Sequence, residues 1–169
     1  MTVEKCKAAA LRYVAAAIKT EGQVMDYLKR KEFSTDEIQE AVDMLREYGY
    51  VDDRKYCCDY YMQGCRKGRG RRRIEQELER KKISRNVIKE SLDSFLSEDN
   101  PDFGQILEEE RALDIGKKML KEQLQAGKPV DKAFFAKIGR RLTSMGYDGE
   151  IIYSVIGFAM KGNRGEQEE

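Results

Sequence analysis

Three copies of one 22-residue segment occur in the chain, and this internal repeat limits the possible folds more than any other feature. The copies begin at Val24, Ile74 and Ile138 and align without a gap, 50 and 64 residues apart. Within each copy the apolar residues follow one another at steps of four, five, five, four and three positions. Steps of three and four are helical, whereas the two steps of five flank a break. Each copy is therefore predicted to form a helix, a tight turn and a second helix.

The break in each copy carries the signals of a helix start. Ser34 and Glu37 have the spacing of a capping box, and apolar residues occupy both positions of a hydrophobic staple around Ser34. The same staple spacing recurs around Ser84 and around Asp148. Three copies of one helix-start pattern support the helix–turn–helix prediction.

A further helical stretch precedes each copy, so the repeating unit is predicted to have three helices. The expected ranges of these first helices are 7–19, ending near Gly22, then 53–67, and roughly 104–125. Because no segment alternates apolar and polar residues for long, the predicted class is all-α, with three tandem three-helix repeats. The predicted boundaries are 1–49 for repeat 1, 50–98 for repeat 2, 99–162 for repeat 3 and 163–169 for a disordered tail.

Composition favours an elongated stack of these repeats over a compact sphere. Hydrophobic residues make up 40% of the chain and charged residues 37%, which are somewhat below and well above typical globular usage. Small repeats that contact only their neighbours leave much surface per residue. The 32 basic and 31 acidic residues give a net charge of +1, so the overall balance indicates no class of partner.

The second repeat carries a local excess of positive charge. From Arg66 to Lys82, nine basic and three acidic residues leave a charge of +6 in 17 residues. Gly68 and Gly70 would make the joint between two helices flexible enough for a close backbone approach. Arginines at the start of the next helix oppose its dipole, which favours a role for the charge in binding phosphates or an acidic protein face. The alternative is a solvated loop without a partner.

The candidate binding residues fall into two groups. The principal group is Arg66, Lys67, Arg69, Arg71, Arg72, Arg73, Arg80 and Lys81. A second, weaker group in the third repeat is Lys137, Arg140 and Arg141, and a stack of repeats would present both groups on one surface. Five tyrosines near the principal group could stack on bases, whereas the alternative is that two or three of them belong to the core or to a staple. These are Tyr48, Tyr50, Tyr56, Tyr60 and Tyr61.

The residue types needed for catalysis or metal binding are largely missing. The chain has no His, which removes the commonest general base and transition-metal ligand. Its four cysteines include no CxxC pair, and no base accompanies them, so we expect small, buried, reduced thiols. Asp52 and Asp53 could ligate a metal, but their position before a helix favours capping. The sequence predicts no enzyme, no metal and no cofactor.

The sequence predicts a cytoplasmic protein without a membrane partner. No run of 18 apolar residues occurs, and the first residues lack the basic and apolar regions of a signal peptide.

The second repeat resembles the RecX family of bacterial regulators of the RecA recombinase. The resemblance rests on GYVDDRKYCCDYY from Gly49 and on RKGRGRRRIEQELERKKIS from Arg66. The residues that match the family pattern there are Gly49, Tyr50, Asp52, Asp53, Tyr56, Lys67, Gly68, Gly70, Arg73, Ile74, Glu77 and Leu78. The third copy is similar to the C-terminal element of the family at Lys137, Ile138, Arg141, Leu142, Gly146 and Tyr147.

Four positions depart from the family pattern. Arg71 replaces a usual Pro, and Cys57 replaces a usual Ala. Glu32 and Lys82 replace a usual Gly, which loosens the turn assignments in the first two copies.

The resemblance implies an elongated, curved array of three-helix repeats. It also implies a non-enzymatic regulator that binds along the groove of a RecA–DNA filament and lowers its ATPase and strand-exchange activity, in the context of DNA repair and the SOS response. Weak, nonspecific binding to single- or double-stranded DNA and a monomeric state are further expectations. The alternative is a sequence-nonspecific DNA- or RNA-binding helical-repeat protein that needs no recombinase.

Overall fold

The all-α prediction is confirmed by the computed structural model. It describes residues 2–97 and 105–165, and the side chains of these residues except 105–107 and 163–165. No strand occurs in the described ranges. The helices are α1 (Val3–Ala16), α2 (Glu21–Arg30), α3 (Thr35–Glu47), α4 (Asp53–Arg66), α5 (Arg71–Arg80), α6 (Arg85–Phe95), α7 (Gln105–Gln125), α8 (Lys132–Met145) and α9 (Gly149–Gly165).

The predicted limits of the first helix were wrong. α1 ends at Ala16, followed by Ala17 in an extended conformation, and α2 already begins at Glu21. The reason is a second capping box, in which the Thr20 side chain accepts from Gln23 N and the Gln23 side chain accepts from Thr20 N. Gly22, expected near the end of the first helix, therefore lies in the first turn of the second.

The predicted helix starts are confirmed. Ser34 and Glu37 form the full capping box that begins α3. Asp52 accepts from Lys55 N at 2.9 Å at the start of α4, and Asp148 accepts from Glu150 N at 3.1 Å at the start of α9. Each side chain satisfies an N–H group that has no partner within its own helix.

The turns between the second and third helices share one unusual backbone conformation. Glu32, Lys82 and Gly146 have φ angles of 63°, 68° and 86°, and they occupy the same position in the three aligned copies. Only the third is a glycine, the residue for which this left-handed conformation is free of strain. Glu32 and Lys82 therefore preserve the turn despite the departure from the family pattern.

Two compact units divide the chain. Unit 1 comprises Met1–Tyr60 and Gln76–Asp93, and unit 2 comprises Tyr61–Glu75 and Ser94–Glu169, so residues of the second repeat occur in both. The core of unit 1 includes residues such as Leu28 of the repeated apolar set. The core of unit 2 contains the corresponding Leu142 and the buried Tyr147. The repeat boundaries stay a prediction, and residues 166–169 of the predicted tail lie outside the described residues.

In unit 1, the start of α2 docks on the turn between α5 and α6. The Thr20 hydroxyl donates to the carbonyl oxygen of Lys81, and Glu21 N donates to Asp53 Oδ1 at 2.9 Å. A Cβ atom added at Gly22 would lie 2.3 Å from the carbonyl oxygen of Lys82. The backbones therefore approach too closely for any side chain at Gly22.

In unit 2, the start of α5 docks in the same way on the turn between α8 and α9. Gly70 N donates to the carbonyl oxygen of Met145 at 2.8 Å, and Arg71 N donates to Glu108 Oε1 at 2.8 Å. A Cβ atom added at Gly70 would lie 2.4 Å from the carbonyl oxygen of Gly146, which confirms the close approach expected at this glycine. In each unit, one repeat thus places the start of its second helix on the turn of the next repeat.

We predict opposite effects of alanine at two glycines of the third repeat. Gly146→Ala should lower the free energy of unfolding by at least about 2 kcal/mol, because it adds left-handed strain and a Cβ 2.3 Å from Arg73 Cβ. Gly157→Ala should raise it by about 1 kcal/mol, because this position in α9 has no atom within 4 Å of an added Cβ. Urea denaturation measures both, and a Gly146→Ala protein as stable as the unaltered chain would contradict the described junction.

Candidate partner-binding surface

The structure divides the principal basic group between the two units. Arg66 ends α4, and Lys67 and Arg69 lie in the joint before α5, in unit 2. Arg71, Arg72 and Arg73 form the first turn of α5, also in unit 2. Arg80 and Lys81 belong to unit 1, so only the first six residues of the group are described together.

Two arginines at the start of α5 form hydrogen bonds within unit 2. Arg71 Nε donates to Glu75 Oε1 at 2.6 Å on the same helix. Arg73 Nη1 donates to the carbonyl oxygen of Ser144 at 3.2 Å. These two side chains therefore have structural contacts, and both are partly buried.

Other predicted binding residues of unit 2 are exposed, and their side chains have few partners. Arg72 is exposed and reaches Asp148 only at 4.0 Å. Within the described ranges, five further residues of the two predicted groups are exposed and form no side-chain ion pair or hydrogen bond, and they are Arg66, Lys67, Lys137, Arg140 and Arg141. Their charges are available to an external partner.

One residue of the principal basic group contacts the end of α8, the helix that carries the second group. Lys137, Arg141 and Ser144 follow one another at steps of four and three residues, so they share one face of that helix. Arg73, from the first turn of α5, donates to the carbonyl of the same Ser144. The helix that carries the second group thus contacts the arginine-rich start of α5 in unit 2.

A carboxylate from α7 neutralises the start of α5. The first turn of α5 contains no acidic residue, but Glu108 accepts the hydrogen bond from Arg71 N at 2.8 Å. A negative charge near a helix N-terminus is favourable, so Glu108 offsets the dipole penalty expected from the arginines. Burial raises the pKa of the Glu108 carboxyl, although the hydrogen bond from Arg71 N and the charge of Arg111 oppose the shift.

A polar cluster lies beneath the joint that precedes α5. The hydroxyl of the buried Tyr147 donates to the carbonyl oxygen of Gly68 at 2.9 Å. Arg111 lies beside Tyr147, Tyr61 and Cys65, and the nearby charge of Arg111 opposes the rise that burial causes in the pKa of the Cys65 thiol. These contacts fix the joint. The sequence predicted neither the Glu108 contact nor the Tyr147 contact, because the bonded residues are 37 and 79 positions apart.

The tyrosines near the basic group have different environments. Tyr61 is buried, as the core alternative predicts, with 2% of its surface exposed. Tyr56 and Tyr60 are partly buried and stack on each other in unit 1, with ring centroids 6.0 Å apart. Tyr48 and Tyr50 are exposed by 70% and 56%, also in unit 1.

The thiols are not activated for catalysis. All four cysteines are free, and burial raises the pKa of each thiol, that of Cys57 to about 11. A nucleophilic thiol requires the opposite shift. Asp52 and Asp53 accept backbone hydrogen bonds at two different helix starts. In the described part of the chain, no three His, Cys, Asp or Glu residues form a group able to hold a metal ion.

None of the helices within the described residues has the length and apolar character needed to cross a membrane.

The fold and the surface together define a class: an all-helical repeat protein with a concentrated and partly unpaired basic surface.

Comparison with known proteins identifies the family. Models of the first and second three-helix domains of RecX match residues 6–45 and 52–92. Regulatory protein RecX of Clostridium botulinum (strain Eklund 17B / Type B) is 33% identical over 152 residues, which cover 90% of this chain and 67% of that protein. Regulatory protein RecX of Clostridium perfringens (strain 13 / Type A) is 32% identical over 152 residues, with the same coverage. The chain belongs to the RecX family of regulatory proteins.

Solved structures of this family share the fold. The crystal structure of RecX from Lactobacillus salivarius superposes with a TM-score of 0.77 at 21% identity, over 93% of this chain and 96% of that chain. A second crystal structure of regulatory protein RecX superposes with a TM-score of 0.69 at 19% identity, over 90% of this chain and 70% of that chain. At these identities the likeness concerns the fold alone.

We predict that the buried carboxyl of Glu108 makes stability depend on pH. Because the pKa of the Glu108 carboxyl is raised in the folded protein, folding favours its protonated form. The contribution of this carboxyl to the free energy of unfolding is fully present below the ordinary pKa range of Glu. That contribution is lost as pH rises through the raised pKa. Glu108→Gln keeps an acceptor for Arg71 N without a buried charge, so its stability relative to the unaltered chain should increase from about pH 4 to about pH 8.

Urea denaturation across that pH range measures the difference between the two proteins. Glu109→Gln, at an exposed position of the same helix, is the control and should give no such trend. A Glu108→Gln protein that loses stability relative to the unaltered chain as pH rises would contradict the assignment.

Proposed function

We propose that this protein binds a RecA–DNA filament and lowers the ATPase and strand-exchange activity of the recombinase, as a cytoplasmic, monomeric, non-enzymatic regulator. The observation that carries the proposal is a group of exposed cations in unit 2, whose single ion pair among the described residues joins Arg72 to Asp148 at 4.0 Å. The group is Arg66, Lys67, Arg72, Lys137, Arg140 and Arg141. Membership of the RecX family supports the choice of partner.

The chemistry of the surface suits an anionic protein or phosphate face. Arg66, Arg72, Arg140 and Arg141 carry planar guanidinium groups, which form paired hydrogen bonds to carboxylates and phosphates. The backbone just before Arg72 is held in place, because Gly70 N donates to the carbonyl oxygen of Met145 and Arg71 N donates to Glu108 of α7. A fixed backbone lowers the entropy lost when long side chains are ordered on a partner.

The test compares two variants of equal charge change. Arg66→Gln, Lys67→Gln and Arg72→Gln together remove three exposed cations of unit 2. The concentration needed for half-maximal inhibition of DNA-dependent ATP hydrolysis by the recombinase should rise at least about tenfold, because three exposed ion pairs of about 0.5 kcal/mol each are lost.

The control replaces three exposed lysines elsewhere in unit 2, and they are Lys118, Lys121 and Lys128. Their combined change to Gln should leave inhibition within about twofold. A triple variant at 66, 67 and 72 that inhibits as strongly as the unaltered chain would show that this surface is not the contact.

A salt series separates the proposal from direct nucleic-acid binding without a recombinase. Binding to an oligonucleotide is measured over increasing salt, with and without the recombinase. The proposal expects the filament to bind the chain more tightly than the naked strand does. Tight, steeply salt-dependent binding to naked DNA that the recombinase does not strengthen would favour the alternative function.

A further inference from the structure

One hydroxyl from the third repeat reaches the joint that carries basic residues between α4 and α5. The hydroxyl of Tyr147 donates to the carbonyl oxygen of Gly68 at 2.9 Å, and both residues belong to unit 2. Gly68 follows the end of α4 in a left-handed conformation, with a φ of 70°. Lys67 and Arg69, two of the predicted binding residues, flank Gly68 in the chain. The hydroxyl therefore holds the backbone between these two cations.

Packing does not require this hydroxyl. Tyr147 occupies the staple position of the third copy, where the first copy has Phe33 and the second has Ile83. Ile83 is buried in unit 1 as Tyr147 is buried in unit 2, with 3% and 2% of their surfaces exposed. Since a side chain without a hydroxyl can fill this position, and burying a polar group costs free energy unless it is hydrogen-bonded, the hydroxyl has a role beyond the core.

A buried guanidinium supports the Tyr147 hydroxyl from α7. The hydrogen bond between the side chains of Arg111 and Tyr147 opposes the rise that burial causes in the pKa of Tyr147. The hydroxyl oxygen accepts this bond, since a guanidinium only donates. Within the described residues, Arg111 Nε and Nη2 are buried without a hydrogen-bond partner, so the chain keeps a costly cation here. Accepting one hydrogen bond strengthens the one that the hydroxyl donates to Gly68.

We propose that Tyr147 is a positioning residue for the partner-binding surface. Its hydroxyl fixes the carbonyl of Gly68 and thereby the direction in which the side chains of Lys67 and Arg69 leave the joint. A joint that is ordered before binding loses less entropy when its cations engage an anionic partner. The inference rests on the proposed function, because the effect on a partner exists only if these cations contact it.

The first test uses the free chain and needs no recombinase. Tyr147→Phe removes the hydroxyl and keeps the ring, and Phe33 at the equivalent position shows that Phe is compatible with this turn. Amide hydrogen exchange of Gly68 and Arg69, whose N–H groups donate to carbonyl oxygens at the end of α4, should become about fivefold faster, because one hydrogen bond to the joint is lost. Unchanged exchange at both amides would overturn the inference.

The second test is a double-mutant cycle on inhibition of the recombinase ATPase. Tyr147→Phe should raise the concentration for half-maximal inhibition about fourfold, because the contacts of two cations, worth about twofold each, are weakened. Lys67→Gln with Arg69→Gln should raise it about fourfold in the unaltered chain, but less than about 1.5-fold in the Tyr147→Phe chain. A hydroxyl that only stabilised the fold would give additive changes, and that result would overturn the inference.

Two controls are matched to these variants. Arg140→Gln with Arg141→Gln removes two exposed cations of α8 and should raise the concentration by the same factor with or without Tyr147→Phe. Tyr61→Phe removes the hydroxyl of an equally buried tyrosine, which is hydrogen-bonded to Cys65, and should leave inhibition within about 1.5-fold. Circular dichroism checks that each variant is folded.

Failure of the filament proposal gives a different result from failure of this inference alone. If the unaltered chain does not inhibit the recombinase, or if Lys67→Gln with Arg69→Gln leaves inhibition unchanged, the partner contact is wrong and the positioning role falls with it. If both cations contribute to inhibition and the cycle is additive, the filament proposal stands and only the role of Tyr147 is overturned.

Discussion

The docking of a helix start on the turn of the following repeat is the contact on which the rest of this structure depends. In each unit the first N–H group of the second helix donates to a carboxylate from the next repeat, Asp53 in unit 1 and Glu108 in unit 2. The backbones touch, so Gly22 and Gly70 have no space for a side chain. A three-helix repeat buries too little apolar surface to be stable alone, and this junction joins each repeat to its neighbour through backbone hydrogen bonds, a carboxylate and a glycine that no larger residue can replace.

The same junction explains how three consecutive arginines can begin a helix. Without compensation they would destabilise the helix start, but the Glu108 carboxylate is hydrogen-bonded to Arg71 N and supplies the missing negative charge. The cost is a buried carboxyl, whose pKa is raised by burial. Arg72, the residue after Arg71, thereby lies on a backbone that is fixed by this hydrogen bond, and its exposed guanidinium remains available to an anionic partner.

The sequence predicted the local structure well and the long-range contacts poorly. The apolar period, the capping box at Ser34 and the close approach at Gly70 depend on neighbouring residues or on the absence of a side chain, and the structure confirms them. The start of α2 was missed because the first helix was expected to end near Gly22. Instead, Thr20 and Gln23 form a capping box that begins α2 at Glu21. The role of Glu108 could not be predicted, since nothing in the local sequence distinguishes a surface carboxylate from one that caps a helix 37 residues away.

The central claim is that the junction of unit 2 presents the surface that contacts the nucleoprotein filament. Hydrogen–deuterium exchange of the chain, alone and with a RecA filament assembled on single-stranded DNA, tests it most directly. The account predicts slower exchange on binding in residues 66–73 and 137–148, around Gly70 N and Arg71 N. Unchanged exchange in both segments, with protection confined to other parts of the chain, would contradict it.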